Sequence, residues 1–135
     1  LSLHDALPIL YTHRRIYVSM NIDADTLFRI LADPTRRRIL VLLEGQEELC
    51  VCELTHALDA IQPKISRHLA LLRESEVVLD RRRGQWVYYR LNPELPDWAR
   101  QVLTATAAGV AVEKPYRDDR KALSCMPNRP GSVCC

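Results

Sequence analysis

Gln62-Pro63-Lys64-Ile65-Ser66-Arg67-His68-Leu69-Ala70-Leu71-Leu72-Arg73-Glu74-Ser75 is the stretch on which the fold turns. Ile65, Leu69 and Leu72 recur at i, i+4 and i+7, one face of a helix that Pro63 starts. Lys64, Arg67 and His68 fall off that apolar stripe, beside Gln62 and Ser66. Upstream, the connection Asp59-Ala60-Ile61-Gln62 follows a shorter helix over about Val51 to Leu58. Two short helices joined by a tight turn, the second with a polar outer face, are helix-turn-helix patterning. Past Ser75 the period changes from 3.6 to 2. Val77 to Arg82 and Trp86 to Leu91 read as strands around Arg83-Gly84, a hairpin placed as a wing.

Working outward, Leu27, Ile30 and Leu31 define one helix face between Asp23 and Leu31. Asp33-Pro34 then reads as an N-cap and first helical position, opening a helix that buries Ile39, Leu40, Leu42 and Leu43 and stops near Gly45. Beyond Pro93 and Pro96, Asp97 to about Val112 forms a helix rich in small residues such as Ala105, Ala107, Ala108 and Ala111. Small side chains permit close helix approach, so this helix and the first are expected to pair with a symmetry mate in a homodimer. The expected class is mainly α with a small β-hairpin, a winged helix-turn-helix of order α-α-α-α-β-β-α. Residues 20–112 form this DNA-binding and dimerisation domain, and 113–135, with Pro127, Pro130 and Gly131, are expected to be a flexible cysteine-containing tail. Residues 1–19 precede the credible opening at Met20, and Ser2 to Ile9 resemble a translated sequencing-library adapter. A non-native or disordered extension is expected there.

At 135 residues the chain suits one domain, and its 47% hydrophobic content with only 6% aromatics calls for an aliphatic core. A net charge of +2 announces no nucleic-acid binder, so local clusters carry that argument. Arg36 to Arg38 form one basic run and Arg81 to Arg83 another. On the fourth helix Gln62 and Ser66 suit base edges or phosphates, Lys64 and Arg67 suit phosphates, and His68 is a further donor or a local cap. Arg81, Arg82 and Arg83 at the wing reach phosphates or the minor groove of double-stranded DNA. Trp86, Tyr88 and Tyr89 read as wing packing. No apolar run is long enough to span a bilayer, so no membrane partner is expected.

Five cysteines, Cys50, Cys52, Cys125, Cys134 and Cys135, are an odd number without a convincing secretory signal, which favours a reducing cytoplasm and reactive or ligand-binding thiols. The local feature is Cys50-Val51-Cys52, because soft thiolates select soft, thiophilic ions. On a regular helix residues i and i+2 point to nearly opposite sides. Both sulfurs then converge only if the first turn is distorted, which sets ligand binding against the shape that carries the reading helix. Zinc, cadmium or oxidants would act through the same thiols, although a four-ligand zinc spacing around His56 is absent. A thiol redox enzyme is disfavoured by the absence of a Cys-x-x-Cys motif, cofactor loop or acid–base constellation.

Along Glu48 to Leu58, along Gln62 to Ser75, and through Gly84-Gln85-Trp86-Val87-Tyr88-Tyr89-Arg90-Leu91, the chain resembles the arsenic-responsive repressors of the ArsR/SmtB family. The resemblance implies a winged-helix homodimer on operator DNA, released when As(III) or Sb(III) binds cysteine thiolates, with no organic cofactor. Cys50 and Cys52 match two inducer ligands of the family. Where a third cysteine is usual the chain has Thr55, so Cys125, Cys134, Cys135 or solvent would complete a three-coordinate site. Glu76 stands where the family usually has glycine at a helix end, a position costing about 1 kcal/mol if left-handed.

Overall fold

The computed structural model describes residues 21–130, so the extension expected over residues 1–19, together with Cys134 and Cys135, lies outside the described residues. Two aspartates start the first helices. The Asp23 carboxylate accepts from the Thr26 N–H at 2.8 Å ahead of α1 (Ala24–Ala32), and Asp33 accepts from the Arg36 N–H at 3.0 Å ahead of α2 (Pro34–Glu44). Each cap satisfies a donor that the helix leaves open, worth about 1 kcal/mol. The apolar stripes fall where the periodicity predicts, with Leu27, Ile30 and Leu31 buried on α1 and Ile39, Leu40, Leu42 and Leu43 on α2.

β1 (Leu49–Cys50) leads directly into α3 (Val51–Leu58), and α4 (Gln62–Glu74) follows after a short turn. That turn is possible because Asp59 adopts the left-handed conformation, φ 52, and lets the Ala60 N–H reach the Thr55 carbonyl at 3.1 Å. Aspartate tolerates this region better than most residues. At the far end of α4 Glu76 has φ 65, the left-handed backbone anticipated for a position that favours glycine. The Val77 N–H bonds the Leu72 carbonyl there at 3.1 Å and closes the helix.

β2 (Val78–Arg83) and β3 (Trp86–Leu91) form the expected hairpin, with Arg83 opposite Trp86 and Gly84 at φ 63 in the turn. The sheet nevertheless has three strands in the order β1-β3-β2, because Leu49 pairs with Tyr89 and Cys50 with Tyr88. Two residues carry no readable period, which is why this strand escapes sequence reading. α5 (Asp97–Val110) completes the expected elements. Leu40, Leu43, Leu49, Leu54, Ile65, Leu69, Leu72, Val77 and Val78 form the centre of the aliphatic core.

The expected flexible tail is corrected by a sixth helix, α6 (Tyr116–Ser124), which packs against α2 and α3. Tyr116, Asp119 and Leu123 are buried, and their spacing of i, i+3 and i+7 makes one helix face. Only one of these positions is aliphatic, so the charge-rich sequence hides the helix. The basic run of α2 supplies what it docks on. Arg38 grips Asp119 in a two-point pair at 2.8 and 2.6 Å, and Arg37 donates to the Tyr116 hydroxyl at 2.7 Å and the Leu31 carbonyl at 2.7 Å. Arg36 donates to the carbonyls of Ile30 and Arg29. Arg36 to Arg38 therefore tie helices together rather than form a solvated face.

Asp119 is only 3% exposed in this pair, so removing its charge leaves a guanidinium without its partner in a partly buried setting. Asp119→Ala should lower stability in urea unfolding by about 3 kcal/mol. A loss below about 1 kcal/mol would instead place the pair among screened surface contacts.

Candidate nucleic-acid interface and thiol site

α4 displays its inner and outer faces as the pattern requires. Ile65, Leu69 and Leu72 are buried, while Gln62, Lys64, Ser66 and Arg67 are exposed. With Pro63 in the first turn and Ile61 as the N-cap, the polar residues project from the helix end that the Asp59 turn presents outward. At the wing Arg82 and Arg83 are exposed on the last residues of β2. A recognition helix and a hairpin tip, each bearing free hydrogen-bonding or cationic side chains, can grip a duplex at a groove and at the flanking phosphates.

Two expected contacts are corrected. His68 turns inward, its side chain 13% exposed and Nε2 4.0 Å from the Asp33 carboxylate that caps α2. Its Nδ1 is buried without a hydrogen-bond partner among the described residues, and burial pushes its pKa below the usual imidazole value despite the Asp33 charge. A neutral, inward imidazole braces α4 on α2. Arg81 is committed as well. Its Nε and Nη2 bond both Glu48 carboxylate oxygens at 3.0 and 2.5 Å, and its guanidinium lies 5.3 Å from the centre of the Tyr88 ring. Arg81 therefore fastens the approach to β1 onto the wing, and Arg82 and Arg83 stay exposed beside it.

The thiol pair sits where β1 becomes α3. Cys50 is the N-cap of α3, with extended backbone at φ −88 and ψ 167, and Cys52 lies in the first turn. The expected conflict between helix geometry and sulfur convergence is corrected here, because Cys50 is off the helix. Its side chain leaves from an extended residue while the helix stays regular. A reciprocal box holds the corner. The Cys50 side chain faces the Glu53 N–H, and the Glu53 carboxylate accepts from the Cys50 N–H at 2.8 Å. Cysteine in place of the usual serine or threonine disguises this Cys50-x-x-Glu53 box in the sequence.

Cys50 is fully buried and Cys52 partly exposed. Burial first, then the Cys52 thiol and the Glu53 charge, push the Cys50 thiol up to about 12. Cys50 is thus a neutral thiol near pH 7, close enough to Cys52 for the two groups to interact. Cys125 caps the end of α6, exposed, and does not complete a cluster: among the described residues no three His, Cys, Asp or Glu side chains are arranged to hold a metal ion. Glu53 is the buried residue that sequence reasoning missed. It is 3% exposed and pairs with Arg129, which also donates to the Gln46 side chain at 3.1 Å.

A helix-turn-helix with a polar outer face, beside a hairpin ending in exposed arginines, defines a winged helix-turn-helix DNA-binding regulator. Residues 33–79 match the family described as bacterial regulatory protein, arsR family. Over 106 residues the chain is 51% identical to the arsenic resistance transcriptional regulator ArsR1 of Pseudomonas putida, covering 78% of this chain and 81% of that one. It is 61% identical over 77 residues to the arsenical resistance operon repressor of Escherichia coli, covering 57% and 66%. Among solved structures the transcriptional regulator HlyU from Vibrio vulnificus superposes with a TM-score of 0.56 at 33% identity, over 63% of this chain and 84% of that one. The chain belongs to the ArsR family of bacterial regulatory proteins. Its fold and relatives are those of transcriptional repressors, not of enzymes. Among the described residues no helix is long and apolar enough to cross a membrane.

The Cys50 thiol has a consequence for stability. With a native pKa of about 12 against an ordinary value of 9.0, the folded chain keeps a proton that the unfolded chain releases first. The folded state's advantage is complete below about pH 9 and declines as pH rises toward 12. Cys50→Ala should flatten the fall in unfolding free energy between pH 9 and 11, measured in reductant, by up to about 1.4 kcal/mol per pH unit. An unchanged slope would mean that Cys50 ionises as freely in the fold as outside it.

Proposed function

We propose that the protein is a repressor that binds operator DNA as a homodimer and leaves it when trivalent arsenic or antimony bonds to Cys50 and Cys52. The observation that carries this reading is the thiol pair, brought together at the N-cap of the helix that precedes the reading helix. The relatives named for arsenic resistance support the inducer class. So does the chemistry of the pair. Arsenous acid is uncharged near neutral pH, and each thiol exchanges for one of its hydroxyls with release of water, so no thiolate need accumulate. A divalent cation would have to expel the Cys50 proton, and burial opposes that loss.

The path to release is short. Cys50 belongs at once to β1, where it pairs with Tyr88, and to the cap of α3. Bonding its sulfur to a metalloid draws the Cys50 side chain from the Glu53 N–H, unsettling the start of α3. Loss of a cap costs about 1 kcal/mol, within the 1–3 kcal/mol of typical allosteric coupling. α3 packs on α4, so the disturbance reaches the reading head directly. On the DNA side, Gln62 and Ser66 read base edges, Lys64 and Arg67 hold phosphates, and Arg82 and Arg83 anchor the wing. For the dimer, α1 and α5 offer exposed Phe28, Trp98, Ala105 and Ala108 to a second copy.

A gel-shift titration on an inverted-repeat operator tests the switch. Micromolar arsenite should release the wild-type chain, and Cys50→Ser or Cys52→Ser should stay bound at the same concentration. Release of either variant at the wild-type dose would reject the assignment. The wing contacts have a separate signature in salt. Arg82→Ala with Arg83→Ala should reduce the slope of log affinity against log salt by about 2 and weaken all sequences alike. Arg81→Ala should leave that slope unchanged, since its charge is held by Glu48.

A further inference from the structure

Ile61 gives the fold nothing that an isoleucine is suited to give. It is the N-cap of α4, where its backbone is extended at φ −76 and ψ 149 and its side chain makes no capping hydrogen bond. Isoleucine ranks among the poorest residues at an N-cap, because it carries no acceptor for the open N–H groups of the first turn. Nor is it packed: the residue is 69% exposed, and Gln62, Pro63 and Lys64 beside it are exposed too. Its position is nonetheless tightly set. The left-handed Asp59 precedes it, its carbonyl accepts from the Lys64 and Ile65 N–H groups at 3.2 Å each, and Pro63 stiffens the turn that follows. A β-branched side chain on such a base keeps few rotamers, so little freedom is lost when it meets a surface. A residue that breaks a local preference without serving the core points to a role outside the fold.

We infer that Ile61 is a specificity-determining residue that packs against the methyl group of a thymine in the major groove of operator DNA. The inference rests on α4 being the helix that enters that groove, and it adds an apolar contact to the polar set of Gln62, Lys64, Ser66 and Arg67. In a helix-turn-helix the N-terminal residues of the second helix meet base edges. Ile61 stands at that end, directly ahead of Gln62, with the cations of Lys64 and Arg67 exposed on the same helix to hold phosphates. The major-groove edges of the bases present hydrogen-bond donors and acceptors, and the thymine methyl is the apolar group among them that an exposed isoleucine can match. Phe28 and Trp98, offered to a second copy, belong to α1 and α5 and not to this end of α4, so the dimer face does not account for Ile61. Burying one methyl group against an aliphatic side chain changes affinity by about fourfold.

Removing the methyl from the DNA tests this without touching the fold. An inverted-repeat operator, selected by the full chain from a random duplex pool, is remade with deoxyuridine for thymidine at one position of each half-site at a time. Uracil pairs as thymine does and lacks only the methyl. Wild type should lose about fourfold in affinity when the contacted methyl is removed from one half-site, and about fifteenfold when it is removed from both. Ile61→Ser should bind the thymine and uracil duplexes alike, at the wild-type affinity for the uracil duplex. Its Tm should be unchanged or higher, since serine caps a helix well. Ile61→Val should keep a smaller sensitivity to the methyl than wild type. A flat uracil profile in wild type would overturn the inference, and a weaker dimer of Ile61→Ser in sedimentation would then assign the side chain to a second copy. A methyl effect of wild-type size in Ile61→Ser would overturn it as well, and a lowered Tm of that variant would return the isoleucine to the service of the fold. Failure of the underlying reading looks different: a pool that yields no selected sequence would remove α4 from the groove altogether.

Discussion

The N-cap of α3 is the constraint on which the other parts converge. One residue, Cys50, ends a strand, starts a helix and carries a buried thiol, and its N–H is held by the Glu53 carboxylate. An N-cap must have extended backbone while the next residue is helical, so its side chain leaves at a different angle from those of the turn that follows. That geometry lets sulfurs two residues apart meet over a regular helix. It also places the thiols at the cap of the helix that precedes α4, a contact worth about 1 kcal/mol.

Charge in this molecule is used mainly inward. The two arginine runs look alike in sequence, yet Arg36, Arg37 and Arg38 hold α1, α2 and α6 together, and Arg81 closes on Glu48. A guanidinium with five donors can satisfy helix-end carbonyls and a carboxylate at once, which suits it to joining elements. Lys64, Arg67, Arg82 and Arg83 stay exposed, on two separate projections, and form the smaller set that the proposed DNA interface uses. A net charge of +2 fits such an interface, in which position matters more than total charge.

Most of the architecture was legible. Helix periods, the Asp33-Pro34 start, the α3–α4 turn and the hairpin around Gly84 all appear where local pattern puts them, since each depends on neighbours a few residues away. Glu76 at φ 65 was anticipated on other grounds, from the glycine that the resembling family usually has there. β1 was not, because two residues have no period and their pairing with Tyr88 and Tyr89 is a long-range choice. Nor was α6, whose buried face includes an aspartate that is apolar in no scale and is buried only because Arg38 meets it.

The site divides along the same line. Sequence alone determined that two thiols stand beside a helix-turn-helix and that Gln62, Lys64, Ser66 and Arg67 face away from its core, because spacing within one element is set by the 3.6-residue turn. Tertiary structure decided that Cys50 lies off the helix, that His68 and Arg81 turn to internal partners, and that Arg129 sits on Glu53. A charged or polar side chain has no preferred partner until the fold brings one within reach, and only then does pairing outweigh hydration.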